Sequence, residues 1–178
     1  IYEIGADMRI IICGLNGAGK STFGKALAER MGYRFVDVED LYFPKTDPDY
    51  LYASPRTGKE VGKLLLDILR REDDLVFSSV TGKYVENASA YFQYCVILNV
   101  PKNIRMQRVK NRSLEKFGER ALPGGDLYEK EQSFYELIQS RKETLVSEWV
   151  EAAKIPIIHL NGEKTINENL DFLLEQIQ

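Results

Sequence analysis

The stretch that most limits what this chain can become is IIICGLNGAGKST, Ile10 to Thr22. Apolar residues run straight into Gly14, Gly17 and Gly19, then into a lysine and two hydroxyls. From Met8 to Cys13 the run is short, continuous and rich in β-branched side chains, the pattern of a strand buried on both faces. Lys20 to Met31 has helical character and stops at Gly32, a good residue just past a helix end. Glycines this close together cost backbone entropy, so the turn between strand and helix must need them.

The rest of the chain repeats the alternation. Tyr33–Val38 reads as a second strand, and residues 43–55, with Pro44, Pro48 and Pro55, as a loop. Thr57–Arg71 carries Val61, Leu64, Leu65 and Ile68 at helical spacing. Leu75–Val80 and Tyr94–Val100 read as strands, and Pro101 suits the start of a helix running to about Arg112. Ser113–Gly125 is polar, charged and glycine-containing. Leu127–Ala153 reads as one long helix, Ile155–Leu160 as a fifth strand and Thr165–Ile177 as a last helix. Strands alternating with helices imply a parallel sheet with right-handed crossovers. No linker or repeat divides the chain, so residues 1–178 are expected to form a single domain.

Composition narrows the function classes. A formal net charge of −3 gives no general reason to expect nucleic acid. No apolar run approaches the roughly 18 residues of a membrane span. Ile1–Asp7 lacks the basic and apolar regions of a secretory signal, and Met8 reads as a natural start, which makes residues 1–7 a leader. Cys13 and Cys95 each lie in an apolar run without metal-ligand spacing. They read as buried free thiols in a reducing compartment, the cytoplasm. With His159 as the single histidine, a histidine-based triad or multi-histidine metal site has little material.

Gly14 to Ser21 fits G-x-x-x-x-G-K-[ST] at every fixed position. A triphosphate is too large and too charged to be held mainly by side chains. Successive backbone N–H groups ring it when no Cβ intrudes, and the helix beginning near Lys20 adds free N–H groups and a positive dipole end. Gly14, Asn16, Gly17, Ala18, Gly19, Lys20, Ser21 and Thr22 are the expected nucleotide contacts. Lys20 would reach the β- and γ-phosphates of ATP, and the Ser21 hydroxyl would ligate Mg²⁺.

What receives the phosphate is read from the other strand ends. Asp37, Glu39 and Asp40 lie at the carboxyl end of the second strand, where ligands sit in an open α/β sheet. A carboxylate there holds Mg²⁺ through water or takes a proton from an attacking hydroxyl. The third strand ends in Ser78 and Ser79, where many phosphate-loop proteins place an aspartate. The metal carboxylate is therefore expected to be Asp37. Arg105, Arg108 and Arg112 share a helix face, and Arg120 follows in the glycine-flanked segment. Arg108, Arg112 and Arg120 are the candidates for clamping the transferring phosphoryl group. Arg56, ahead of the helix after the second strand, and Arg141 are acceptor-side candidates with Asp37 and Glu39.

With these residues in view, the sequence resembles small P-loop kinases of the nucleoside-monophosphate-kinase and shikimate-kinase type. The likeness runs from Met8 through the glycine loop, the acidic end of strand two, the acceptor-side helix and an arginine-bearing segment, to the turn HLNGEKTINEN. It implies a three-layer α/β fold with a five-stranded parallel sheet and a mobile lid, here about residues 113–126, closing over ATP. A similar turn packs on the adenine in those kinases, which would place Asn161 and Gly162 near the base. The carboxylate on strand two resembles the shikimate-type arrangement, but the acceptor signatures of both groups are missing. The leading expectation is an ATP- and Mg²⁺-dependent phosphotransferase acting on a small molecule. The rival is a nucleotide-dependent ATPase or switch with a protein partner, docked on the helix Leu127–Ala153 with Trp149. A GTPase is disfavoured, because no N-K-x-D follows a strand.

Overall fold

The computed structural model describes residues 7–177, so the expected leader, but for Asp7, lies outside the described residues. β1 (Met8–Cys13) is central in a five-stranded sheet with β2 (Arg34–Asp37), β3 (Asp74–Ser78), β4 (Tyr94–Asn99) and β5 (Ile157–Asn161). The order is β2-β3-β1-β4-β5 and every pairing is parallel. The chain therefore reverses direction across the sheet between β3 and β4, on either side of β1. That is the place where an open α/β sheet leaves a crevice beyond its strand ends.

Burial follows from the strand pattern. Ile10 and Ile12 face one way, with Val76, Val96 and Leu98, toward α1 (Lys20–Met31) and α7 (Ile166–Gln176). Ile11 and Cys13 face the other way, with Phe77, Cys95 and Ile97, toward α3 (Gly58–Leu69) and α6 (Leu145–Ala153). Both faces are covered, which is why β1 reads as an unbroken apolar run rather than an alternating one. Each fully buried Ile, Leu or Phe side chain contributes about 1.5–3 kcal/mol. Cys13 and Cys95 are buried free thiols, as expected.

Local chemistry sets the ends of the elements that carry the cleft. Asp37 caps α2 (Val38–Tyr42), accepting from the Glu39 amide at 2.9 Å. Glu39 and Asp40 therefore stand in a helical first turn rather than in a loop. Thr57 and Glu60 form a reciprocal capping box at the start of α3, as Thr165 and Glu168 do for α7.

Two helices depart from the sequence reading. α4 (Lys102–Phe117) runs past Arg112 and takes in the first residues of the expected lid. Ser113 is buried there, donating to Glu131 Oε2 at 2.6 Å. The expected long helix Leu127–Ala153 is two helices, α5 (Tyr128–Ser140) and α6, because Arg141 turns extended at φ −66°, ψ 135°. No glycine or proline marks the break. Contacts from Arg141 and Glu143 to distant segments override helix propensity there. Trp149, the expected partner anchor, is half-buried, packed over Gly82 against the core on the α3 and α6 side. Among the described residues, no helix is long and apolar enough to cross a membrane.

Candidate nucleotide and acceptor site

The loop between β1 and α1 bends through Gly17 (φ 84°) and Gly19 (φ 92°), left-handed values that an L side chain rarely adopts. At Gly17 there is a second reason. A Cβ would overlap the carbonyl of Arg105 on α4. Gly19 caps α1 with no side-chain hydrogen bond, so the first amides of α1 stay available to an anion.

Lys20 folds back under the loop, its Nζ donating to the Leu15 carbonyl at 3.3 Å. Burial pushes its ammonium down to about 8, while the Asp37 carboxylate and the Cys13 thiol hold it up. Arg112 and Arg141 add to the lowering, so both guanidinium groups lie close enough to act on the loop lysine. A desolvated ammonium beside two arginines is poised for a polyanion.

The Ser21 hydroxyl donates to Asp37 Oδ2, while Asp37 Oδ1 accepts the Glu39 amide. Asp37 sits in register with Ser78 across β2 and β3, and Ser78 with Ile12 across β3 and β1. Among the described residues, the hydroxyls of Ser78 and Ser79 are buried with no hydrogen-bond partner. The carboxylate in register with Ser78 is Asp37, at the end of β2, one strand over.

The arginines of α4 separate. Arg105 is buried, donating from Nε to the Val100 carbonyl at 2.9 Å and from Nη2 to both oxygens of Glu143 at 2.7 Å. Arg108 donates to the carbonyls of Gly17 at 3.3 Å and Gly162 at 3.2 Å, bridging the glycine loop to the turn after β5. Arg112 is exposed and makes no hydrogen bond among the described residues; its charge acts on Lys20 and Tyr52. Arg120 pairs with both oxygens of Asp126, at 2.9 and 2.7 Å, and donates to the Asp49 carbonyl. It therefore ties the expected lid to the loop of residues 43–55.

Arg56 Nη1 donates to the Leu41 carbonyl at 2.9 Å, and Arg141 Nη1 to Asn16 Oδ1 at 2.6 Å. Arg141 thus reaches the glycine loop itself. A cavity of about 340 Å³ lies between Ala18, Gly19, Thr22, Arg108, Gly162 and Lys164. A second, of about 520 Å³, is lined by Leu15, Asn99, Arg105, Glu143 and Asn161 among others. Gly162 and Asn161, expected together near a base, therefore line different cavities. The Asn161 side chain accepts the Glu163 amide at 2.9 Å and shapes the turn.

Sequence reasoning missed an aromatic wall. Tyr50 and Tyr52 pack on each other and on Phe117 at the end of α4, and Phe43 packs on Tyr52, with centroids 5.1 to 6.2 Å apart. Burial raises the Tyr52 hydroxyl, and the Glu39 carboxylate beside it raises it further. The density of aromatic residues between the prolines of residues 42–55 was the available signal.

A family model described as an AAA domain matches residues 10–133. The chain belongs to the AAA domain family. This AAA domain is 26% identical to the uncharacterized protein YqaC of Bacillus subtilis over 94% of the chain and 96% of YqaC. It is 25% identical over 90% of its length to the bifunctional shikimate kinase/3-dehydroquinate synthase of Thermotoga maritima, but spans only 34% of that protein. Among solved structures, a gluconokinase from Sinorhizobium meliloti matches at TM-score 0.57 and 21% identity, over 96% of this chain and 95% of that one. A shikimate kinase from Bacteroides thetaiotaomicron matches at TM-score 0.59 and 18% identity, over 96% and 98%. The AAA domain has the α/β fold of P-loop small-molecule kinases.

Proposed function

We propose that the protein is an ATP- and Mg²⁺-dependent phosphotransferase that moves the γ-phosphate to a small-molecule acceptor. The observation that carries this is the meeting of Ser21 and Asp37 in front of a half-buried Lys20. A hydroxyl and a carboxylate are hard oxygen donors, and a magnesium ion takes few protein ligands beside phosphate oxygens and water. The two unpartnered hydroxyls on β3 add polar atoms nearby. The residues therefore fit the ion, with Ser21 as ligand and Asp37 holding it directly or through water. When bound, it neutralises charge between the β- and γ-phosphates.

The main chain of Gly14–Gly19 and the amides of Lys20, Ser21 and Thr22 cradle the phosphates. Lys20 follows the charge toward the γ-phosphoryl group. Arg108, with Gly162, covers the nucleotide beside the smaller cavity. Arg112, the arginine free of partners nearest Lys20, supplies charge to the equatorial oxygens as they develop it. Arg120 keeps a role through lid position rather than contact. On the acceptor side, Asp37 takes the proton of the attacking hydroxyl, and Glu39, Arg56 and Arg141 orient the acceptor. The two buried thiols suit a reducing compartment, so the reaction belongs in the cytoplasm.

The partner-switch reading is less favoured, because the helix expected to carry it is two helices and Trp149 packs against Gly82. The test is a phosphoryl-transfer screen with ATP across nucleosides, sugars, polyhydroxy acids and amino alcohols. Transfer to at least one acceptor is the expected result. Hydrolysis alone, indifferent to every acceptor, overturns it.

A further inference from the structure

Asn16 and Gly17 form the tip of the glycine loop, and each is gripped from a different side. Gly17 lies hard against the Arg105 backbone in the first turn of α4. Asn16 takes the Arg141 guanidinium from the turn between α5 and α6. The two grips are joined. The Arg105 side chain is only 4% exposed, and its bidentate bond goes to Glu143, two residues beyond Arg141 in the same turn. The contacts close a ring through Gly17, Arg105, Glu143, Arg141 and Asn16.

An ion pair with one buried member is weak evidence for stability, since desolvation offsets much of the attraction. What it gives is position. Arg105 is fixed at its other end by the Val100 carbonyl, so it cannot swing to follow Glu143. The turn must come to Arg105, and Arg141 is aimed as a result.

We propose that the Arg105–Glu143 pair is a positioning device for the phosphate loop, fixing the turn that presents Arg141 to Asn16. The loop tip then holds its phosphate-binding shape before nucleotide arrives, and the cost of ordering it is not taken from affinity. Both charged groups line the larger cavity, and neither lines the smaller one beside Gly19 and Thr22. This inference rests on the nucleotide reading above.

The test is a double-mutant cycle on ATP affinity, measured by calorimetry on full-length protein. Glu143→Gln should weaken ATP binding about three- to tenfold, the range for ordering one or two side chains. In an Arg141→Ala background the same substitution should change affinity no further, because Glu143 acts through Arg141. A merely structural role would lower the melting temperature in both backgrounds and leave the affinity of folded protein unchanged. Unchanged affinity in folded Glu143→Gln, or losses that add in the double variant, overturns the proposal. Where Glu143→Gln fails to fold, Glu143→Asp keeps the charge, shortens the reach and enters the same cycle with the same criteria. Wild-type protein that binds no ATP overturns the nucleotide reading together with this one, whereas equal binding by wild type and variant overturns this one alone.

Discussion

At one end of the cleft, the Gly14–Ser21 loop offers main-chain amides. At the other, the wall from Leu41 to Arg56 offers tyrosines, carboxylates and the Arg56 guanidinium. Main chain cannot be substituted, only obstructed, so the nucleotide end depends on what is missing from it, such as a Cβ at Gly17. The acceptor end depends on what is present, and each of its side chains can be exchanged singly. An anion common to many reactions is met by backbone, and a substrate particular to one is met by side chains.

That contrast breaks first at Asp37, which the proposed function puts to work at both ends. With an acceptor in hand, Asp37→Ala should lower turnover by about two to four orders of magnitude, the range for losing a positioned acid–base group. A smaller loss confined to ATP affinity would assign Asp37 to the nucleotide end alone. Lys20→Ala is the next largest test. ATP affinity measured by calorimetry should fall by about a hundredfold or more, as when one partner of a buried charge pair is truncated. Unchanged affinity in a folded variant would remove the nucleotide end altogether.

The aromatic wall sharpens the comparison from the other side. Tyr52→Ala should raise the acceptor KM by about tenfold, the scale of losing one or two ring contacts, while ATP affinity stays within error. An equal loss for ATP would show that the wall is not an acceptor surface. The smallest effect concerns stability without nucleotide or metal. Lys20 is held at about 8 in the fold against an ordinary 10.5. Between those values the unfolded chain binds the extra proton, so stability rises with pH across that window. Below it the Lys20 charge is a burden of about 1–3 kcal/mol. Lys20→Met should therefore be more stable than wild type at pH 7, with the gap closing by about pH 10 in urea titrations with chelator.

The nucleotide end was legible in the sequence because its information is local. Strand, glycines, lysine, hydroxyl and helix are consecutive, and the motif fixes its own backbone. The position of Asp37 was legible for a related reason: the carboxyl end of β3 carries Ser78 and no acid, and the end of the neighbouring strand carries Asp37, bonded to Ser21. The arginines were not legible beyond their helical spacing. Arg105, Arg108 and Arg112 are three and four residues apart, yet one is buried on Glu143, one bridges two carbonyls and one is free. Those differences come from residues 38 to 91 positions away, which no local pattern contains. The break at Arg141 was hidden in the same way.

α4 is one unbroken helix of 16 residues, a rod of about 24 Å. Its foot stands on Gly17 and its head carries Phe117 between Tyr50 and Tyr52. Rigid rods act as levers. A tilt of about 5° at the foot swings the head by about 2 Å over that length, roughly the radius of a methyl group. If a bound phosphate shifted the loop by a fraction of an ångström, the rod would carry that shift to the far wall as a seam opening or shutting between rings.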